Sequence, residues 1–140
     1  MKVLYTAEAL ATGDGRNGRA QTSDNLVDVE LAVPQAMGGS GNGTNPEQLF
    51  AAGYAACFHS ALHLVARQAK ADLGASSVGA QVHIGPNDAG GFGLAVTLEV
   101  VIPNLPHDEA VVLAEKAHQV CPYSNATRGN VETELKVTND

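Results

Sequence analysis

Alternation of apolar and polar residues predicts three strands in the early part of the chain. Residues 3–12 alternate loosely, residues 19–23 follow a glycine-rich turn at 13–18, and residues 27–33 alternate regularly. A period of two residues is typical of a strand with one buried face. Pro34 lacks the backbone N–H that a ladder requires, so we expect the third strand to end there.

A long apolar run in the next part of the chain predicts a central helix. Asn45 is suited to the N-cap, Pro46 to the first helical position, and Gln48 to a capping box. We expect this helix to continue to about Lys70. Residues 49–58 are apolar on every face of the helix, so every face must be buried. Because one small sheet covers only one side, the pattern predicts that a second copy of the chain covers the other.

The second half of the chain predicts a hairpin, a second helix and a last strand. Residues 78–84 and 92–102 alternate on either side of a glycine-rich turn, which is the pattern of two antiparallel strands. Small residues and a cysteine recur on one face of residues 108–121, which indicates a helix. Pro122 should end this helix, because the residue before a proline avoids the α region. Residues 131–137 alternate again.

The predicted order is therefore βββ-α-ββ-α-β, in a single domain over residues 1–140. Hairpins with separate helices indicate an α+β fold rather than a doubly wound parallel sheet. The most apolar segment, residues 49–66, is slightly shorter than the about 20 residues that span a bilayer, and polar residues interrupt it. We expect a core helix, and a cytoplasmic protein because the N-terminus does not have the pattern of a signal peptide.

Charge and cysteine content narrow the classes of function. The chain has 8 Lys+Arg and 15 Asp+Glu, a net charge of −7, which argues against nucleic-acid binding because phosphate contacts need clustered cations. Its 2 cysteines, Cys57 and Cys121, are too few for a disulfide scaffold or a four-cysteine zinc site. In the reducing cytoplasm such a pair is more often catalytic or unpaired than structural.

Three short motifs resemble known sites but lack a part that the chemistry needs. The glycine pattern at residues 13–18 matches a dinucleotide fingerprint, yet a strand follows it instead of a helix. His59 and His63 have the spacing of zinc ligands on a helix, but no third ligand is evident, so we expect no metal. Cys121 and Ser124 resemble a redox C-x-x-C, but Cys121 ends a helix, where the negative end of the dipole disfavours a thiolate.

Cys57 needs a nearby cation to become reactive, because burial in an apolar helix disfavours its charged form. Arg16 and Arg19, in the glycine-rich turn, are candidate cations with a permanent charge. Glu47 in the first turn of the central helix could orient such an arginine, although it precedes Cys57 by about 15 Å of helix. Each of these residues also has a simpler interpretation: Arg16 as an exposed turn residue, Glu47 as a residue favoured by the helix dipole, and Cys57 as an inert buried cysteine.

Two long motifs surround the cysteines: TNPEQLFAAGYAACF over residues 44–58 and HQVCPYSNATRGN over residues 118–130. With the turn GRNGR at 15–19 and MGG at 37–39, they resemble the organic hydroperoxide resistance proteins (Ohr), one branch of the Ohr/OsmC superfamily. The resemblance covers essentially the whole chain. It implies the OsmC-like α+β fold, with antiparallel sheets packed around central helices, in an intertwined homodimer with its sites at the interface.

The same resemblance implies a metal-free peroxidase that works through cysteine. Cys57 matches the peroxidatic cysteine, which attacks the distal oxygen of an organic hydroperoxide, releases the alcohol and becomes a sulfenic acid. Cys121 matches the resolving cysteine, which forms an intramolecular disulfide with it. Arg16 matches the residue that stabilises the thiolate, and Glu47 the residue that holds this arginine. Dihydrolipoyl groups of lipoylated proteins would reduce the disulfide, with no cofactor bound to the chain itself.

Phe50, Tyr54 and Phe58 are candidate walls of a substrate pocket. Burial of apolar surface at about 25 cal/mol per Å² would favour lipid or aryl hydroperoxides over H2O2. We also expect the Arg16 turn to move away once the thiolate charge is lost in the disulfide. An OsmC-type osmotically inducible peroxidase, and a binding or structural module with inert cysteines, are the two competing hypotheses.

Overall fold

Two three-stranded sheets and one long helix make up most of the regular structure, which a computed structural model describes over residues 1–140. The elements are β1 (Ala9–Thr12), β2 (Arg19–Thr22), β3 (Asp28–Glu30), α1 (Pro46–Ala69), β4 (Ser77–Pro86), β5 (Phe92–Val101), α2 (His107–Val120), α3 (Pro122–Thr127) and β6 (Glu132–Thr138). The α+β class is confirmed. The chain divides into two compact units, residues 1–49 and 50–140, and the single domain stays a prediction.

The first unit carries the antiparallel sheet β1-β2-β3. Its first strand is shorter than the alternation at residues 3–12 predicts, because β2 offers partners only for Ala9–Thr12. The third strand also stops early, since Leu31 leaves the sheet and forms a bridge with Thr44. A short 3₁₀ turn at Gly15–Asn17 joins β1 to β2, so no helix follows the glycine pattern and the dinucleotide interpretation is excluded.

Helix α1 begins and ends close to the predicted residues. The side chain of Asn45 accepts a 2.9 Å hydrogen bond from the backbone N–H of Gln48, as the capping pattern predicts. At the other end Lys70 adopts a left-handed conformation with φ of 53°, which stops the helix. Both ends are therefore determined locally by the sequence.

Only one face of α1 is buried within the chain. Tyr54, Phe58 and Leu62 are fully buried in the hydrophobic core, so α1 is a core helix, although it is long and apolar enough to cross a membrane. The opposite face is apolar but exposed, at Ala52 and Ala56 among others. The prediction that all faces are buried is thus not met by one chain alone.

The second unit carries the sheet β4-β5-β6, which is mixed. Strands β4 and β5 form the predicted antiparallel hairpin. Strand β6 runs parallel to β5, which corrects the expectation of antiparallel sheets throughout. The reason is that α2 and α3 form a crossover, which brings the chain back to the end where β5 began. The predicted apolar face of α2 (Ala110, Ala114, Ala117 and Cys121) is fully buried in the core.

A short third helix follows directly after α2. Pro122 ends α2 as predicted, but it is also the first residue of α3, a position where its missing N–H costs nothing. Cys121 therefore lies between the C-terminal end of α2 and the N-terminal end of α3. The expectation that this cysteine experiences only a negative helix end is wrong, because the second helix presents its positive end to the same residue.

Candidate active site

The two cysteines lie side by side within the second unit. Cys57 is on α1 and Cys121 joins α2 to α3, and their Sγ atoms are 3.5 Å apart, with the Cys121 thiol as hydrogen-bond donor. Both are free thiols; Cys121 is fully buried and Cys57 is partly exposed. Because sulfur atoms in a disulfide are about 2.05 Å apart, an approach of about 1.5 Å would allow the bond to form.

Burial raises the pKa of the Cys57 thiol, and the neighbouring Cys121 thiol raises it further. The backbone N–H of Tyr123 acts in the opposite direction and lowers this pKa. This N–H is free for that purpose, since the first N–H groups of a helix have no partner within the helix. Because the pKa stays raised, reactivity near neutral pH requires additional positive charge.

Tyr123 is a site residue that the sequence pattern did not reveal. A glycine in α1 makes its position possible, because a Cβ at Gly53 would lie 2.9 Å from Tyr123 Oη. A glycine inside a helix costs about 1 kcal/mol relative to alanine, so a close approach of this kind explains its presence. Pro122 at the start of α3 was the available signal for the helix that places Tyr123.

Arg16 and Glu47 form a paired contact within the first unit. The Nη1 and Nη2 groups of Arg16 each donate a 2.8 Å hydrogen bond to one carboxylate oxygen of Glu47. These bonds hold the pKa of Glu47 below its usual value, while its partial burial acts in the opposite direction. Arg19 instead pairs with Asp28, at 2.7 and 2.6 Å. The structure thus brings Arg16 and Glu47 together as expected, and their roles in the chemistry stay predictions.

The proposed aromatic walls do not line an opening beside Cys57. Tyr54 and Phe58 are fully buried in the core, and the Phe58 ring packs 6.4 Å from the His118 ring. Phe50 is partly buried, with its ring centroid 6.2 Å from that of Tyr54. Within the chain, Tyr54 and Phe58 therefore belong to the core, and their role as walls of a substrate pocket stays a prediction.

The opening beside Cys57 lies on a different face of α1. It is a cavity of about 460 Å³, lined besides Cys57 by Ser60, Ala61, Leu64, Arg67, Val120 and Pro122. The lining residues on α1 follow Cys57 at helical spacing, which was the signal for them in the sequence. The pattern did not identify this face because the helix is apolar on all sides between residues 49 and 58.

His59 and His63, which have the spacing of zinc ligands, lie close together on α1. No group of three or more His, Cys, Asp or Glu side chains lies close enough together to hold a metal ion. His59 and His63 do lie together, with ring centroids 4.7 Å apart, but His59 Nε2 lies 3.0 Å from Ser76 Oγ. The pair is therefore a local packing and hydrogen-bonding feature of α1.

Comparisons with known proteins agree over nearly the whole chain. The OsmC-like protein family matches residues 39–136. The organic hydroperoxide resistance protein of Xanthomonas axonopodis pv. citri is 55% identical over 136 residues, covering 96% of this chain and 94% of that protein. The OhrB protein of Bacillus subtilis is 43% identical over 135 residues, covering 96% and 98%. A crystal structure of an organic hydroperoxide resistance protein from Elizabethkingia anophelis is 52% identical, covers 100% of both chains and superposes with a TM-score of 0.95. The chain therefore belongs to the OsmC-like family and, within it, to the organic hydroperoxide resistance proteins.

Proposed function

We propose that this chain reduces organic hydroperoxides with its two cysteines. The Cys57 thiolate attacks the distal peroxide oxygen, the O–O bond breaks, and the alcohol leaves after taking up a proton. Cys57 is then a sulfenic acid. The Cys121 thiol attacks this sulfur, a disulfide forms and water leaves. The observation that carries the proposal is the 3.5 Å separation of the two sulfur atoms.

The proposal assigns Arg16 to stabilising the Cys57 thiolate and Glu47 to orienting Arg16. The bidentate pair fixes the guanidinium plane, and Glu47 lies on the helix that also carries Cys57. The raised pKa of Cys57 supplies the chemical need for such a cation. When the disulfide removes the thiolate charge, the turn would release Arg16. Gly15, with φ of +60°, provides backbone freedom next to it.

The proposed substrates are bulky hydroperoxides of fatty acids and of aryl or alkyl groups. Ala61, Leu64 and Val120 give the cavity beside Cys57 an apolar lining. Apolar contact stabilises a bound organic group by about 25 cal/mol per Å² of buried surface, a contribution that H2O2 lacks. We therefore expect a higher kcat/KM for cumene hydroperoxide than for H2O2.

Reopening the disulfide needs two electrons and two protons from a dithiol. We propose dihydrolipoyl groups of lipoylated proteins as this reductant, with no cofactor bound to the chain. The dihydrolipoyl dithiol would attack the Cys57–Cys121 disulfide, release both thiols and leave as the cyclic lipoyl disulfide. This assignment rests on the family to which the chain belongs, as does the proposed cytoplasmic location, where such a reductant is available.

We further propose that the active protein is a homodimer in which the exposed apolar face of α1 is covered. Ala52 and Ala56 lie on this face. A charge placed on a buried interface is strongly destabilising, so Ala52→Glu should shift the protein from dimer to monomer. Ala89→Glu, at an exposed alanine in the β4–β5 turn, is the matched control. Analytical ultracentrifugation decides: a dimer that tolerates Ala52→Glu excludes this interface.

Stopped-flow oxidation tests the central proposal. The wild type should consume one equivalent of cumene hydroperoxide and both thiols, and dihydrolipoamide should restore the thiols. Cys121→Ser should still react once, but Cys57 should then proceed to sulfinic acid with excess hydroperoxide. Full turnover of Cys121→Ser with dihydrolipoamide, without overoxidation, would show that Cys121 does not resolve the sulfenic acid.

The competing hypotheses give different results in the same assay. An osmotically inducible OsmC-type enzyme would show a different balance between H2O2 and organic hydroperoxides. A module with inert cysteines would react slowly and form no disulfide. The 3.5 Å contact between the thiols argues against inert cysteines, and the names of the Xanthomonas and Bacillus relatives favour the Ohr branch.

A further inference from the structure

A cluster of buried hydroxyl groups lies next to the two cysteines. Tyr54 Oη is 2.9 Å from Ser124 Oγ and 3.1 Å from Thr127 Oγ1. All three residues are buried, and no buried side-chain nitrogen or oxygen lacks a hydrogen-bond partner. A buried hydroxyl is costly without such a partner, so the contacts hold α1 and α3 in one relative position.

The contact between the Tyr54 and Ser124 hydroxyl groups lies next to the contact between the Cys57 and Cys121 thiols. Tyr54 precedes Cys57 by three residues on α1, and Ser124 follows Cys121 by three residues at the start of α3. Tyr54 and Cys57 lie one turn apart on α1, whereas Cys121 is the extended residue just before α3 and Ser124 lies in the first turn of that helix. Helix α1 and the segment from Cys121 into α3 therefore touch at two neighbouring points. Tyr54 Oη lies 2.9 Å from Ser124 Oγ, and Cys57 Sγ lies 3.5 Å from Cys121 Sγ.

His118 extends the cluster to the last turn of α2. Its Nδ1 lies 2.8 Å from Ser124 Oγ, and its backbone oxygen accepts a hydrogen bond from Arg128. Burial lowers the pKa of His118, and the charge of Arg128 lowers it further, which favours a neutral imidazole. Cys121 thus lies between two residues, His118 and Ser124, that are joined to each other by a hydrogen bond.

We propose that Tyr54, Ser124 and His118 are positioning residues for the resolving step, holding the Cys121 sulfur within reach of the oxidised Cys57. The inference rests on the proposed thiol peroxidase function. The step is Cys57 sulfenic acid plus Cys121 thiol giving the disulfide and water. A competing step, attack of Cys57 sulfenic acid on a second hydroperoxide, gives sulfinic acid and stops turnover. The cluster determines which step is faster.

Loss of the Ser124 hydroxyl should change this partition and leave the first oxidation intact. The Ser124 hydroxyl contacts Tyr54 and His118 rather than Cys57, so Ser124→Ala should oxidise Cys57 at about the wild-type rate. Disulfide formation should slow on the order of tenfold, because a displacement of 1 Å costs up to about 100-fold in rate. The sulfinic fraction per turnover should rise accordingly. Tyr54→Phe, which keeps the ring and loses the hydroxyl, should also slow disulfide formation and raise the sulfinic fraction, but by a smaller factor.

The experiment is rapid-mixing oxidation with cumene hydroperoxide, with sulfenic acid, disulfide and sulfinic acid quantified by mass spectrometry after quenching. Ser76→Ala is the matched control, since it removes a serine hydroxyl from another Ser–His pair, 3.0 Å from His59 Nε2. Ser124→Thr restores a hydroxyl and should recover disulfide formation. Circular dichroism and melting temperature confirm that each variant is folded; if Ser124→Ala does not fold, Tyr54→Phe carries the test.

Three results would overturn the positioning role. One is that Ser124→Ala and Tyr54→Phe both fold and still form disulfide and sulfinic acid in the wild-type ratio. Another is a first oxidation that slows as much as disulfide formation, which would indicate general loss of structure. The third is that Ser76→Ala changes the ratio of disulfide to sulfinic acid as much as Ser124→Ala does. If the wild type itself forms no disulfide, the proposed function fails instead, so the two failures are distinguishable.

Discussion

Replacing Arg16 by lysine tests whether the geometry of the guanidinium, and not its charge alone, prepares Cys57 for reaction. Arg16 donates two parallel 2.8 Å hydrogen bonds to the carboxylate of Glu47. Lysine keeps the charge, but its ammonium group is a point charge on a flexible stem and does not form this fork. If Arg16 stabilises the Cys57 thiolate as proposed, the Arg16→Lys cation would be less well oriented for that role.

The magnitude follows from the exposure of the pair. A hydrogen bond to a charged group contributes about 1.5–3 kcal/mol in a shielded site. Because 38% of the Arg16 side chain is exposed, solvent screening reduces this contribution to about 1 kcal/mol. At 1.36 kcal/mol per factor of ten, we expect Arg16→Lys to slow Cys57 oxidation roughly fivefold. The pKa of Cys57 should rise in the same variant.

The assay combines thiolate absorbance as a function of pH with stopped-flow oxidation by cumene hydroperoxide, in a Cys121→Ser background that isolates Cys57. Arg19→Lys is the matched control, since Arg19 forms the same fork with Asp28, at 2.7 and 2.6 Å. A rate within about twofold of wild type for Arg16→Lys would refute the geometric argument. Equal slowing in Arg19→Lys would attribute the effect to a general disturbance of the first sheet and its turn rather than to Arg16.

Three further predictions concern stability and substrate range. Leu98→Ala should lower the free energy of unfolding by about 2–5 kcal/mol, because Leu98 is fully buried in the core; urea denaturation measures this, with the exposed Val112→Ala as control. The lowered pKa of Glu47 means that its pairing stabilises the fold at neutral pH. This contribution is about 1 kcal/mol or less, because the pair is partly exposed. It should be lost as the pH falls from about 4.5, the ordinary pKa of a glutamate, through the lowered pKa of Glu47. Arg16→Gln should therefore flatten the pH dependence of the melting temperature in that range. Leu64→Asn should lower kcat/KM for cumene hydroperoxide several-fold and leave that for H2O2 unchanged, because Leu64 lines the cavity beside Cys57; equal losses for both substrates would contradict this.

The elements with strong local signals were predictable. Helix α1 begins at Pro46 because Asn45 caps it, and the small residues at helical spacing in α2 are buried as expected. The pairing of Arg16 with Glu47 follows only from the family resemblance, because the residues themselves leave Arg19 as an equal candidate; in the structure Arg19 pairs with Asp28 instead.

Three features of the structure have no distinct local signal in the sequence. Pro122 both ends α2 and begins α3, and its chemistry is compatible with either role. Strand β6 has the alternation of any half-buried strand, so only its partner β5 determines that it is parallel. A helix that is apolar on all sides gives no indication of which face meets the core, and only the structure places Tyr54 and Phe58 there.

The sequence alone determined the class of fold, the bounds of α1, the two thiols and, through its motifs, the family. These properties depend on caps, periodicity and residue identity, which act over a few neighbouring positions. Only the tertiary structure decided that the sulfur atoms lie 3.5 Å apart, that the backbone N–H of Tyr123 lowers the pKa of Cys57, and that hydroxyl groups connect α1 to α3. Cys57 and Cys121 are separated by 64 positions in the chain, and their distance is set by the packing of α1 against the segment between α2 and α3. Such packing depends on the shapes of many distant side chains at once, which no local pattern contains.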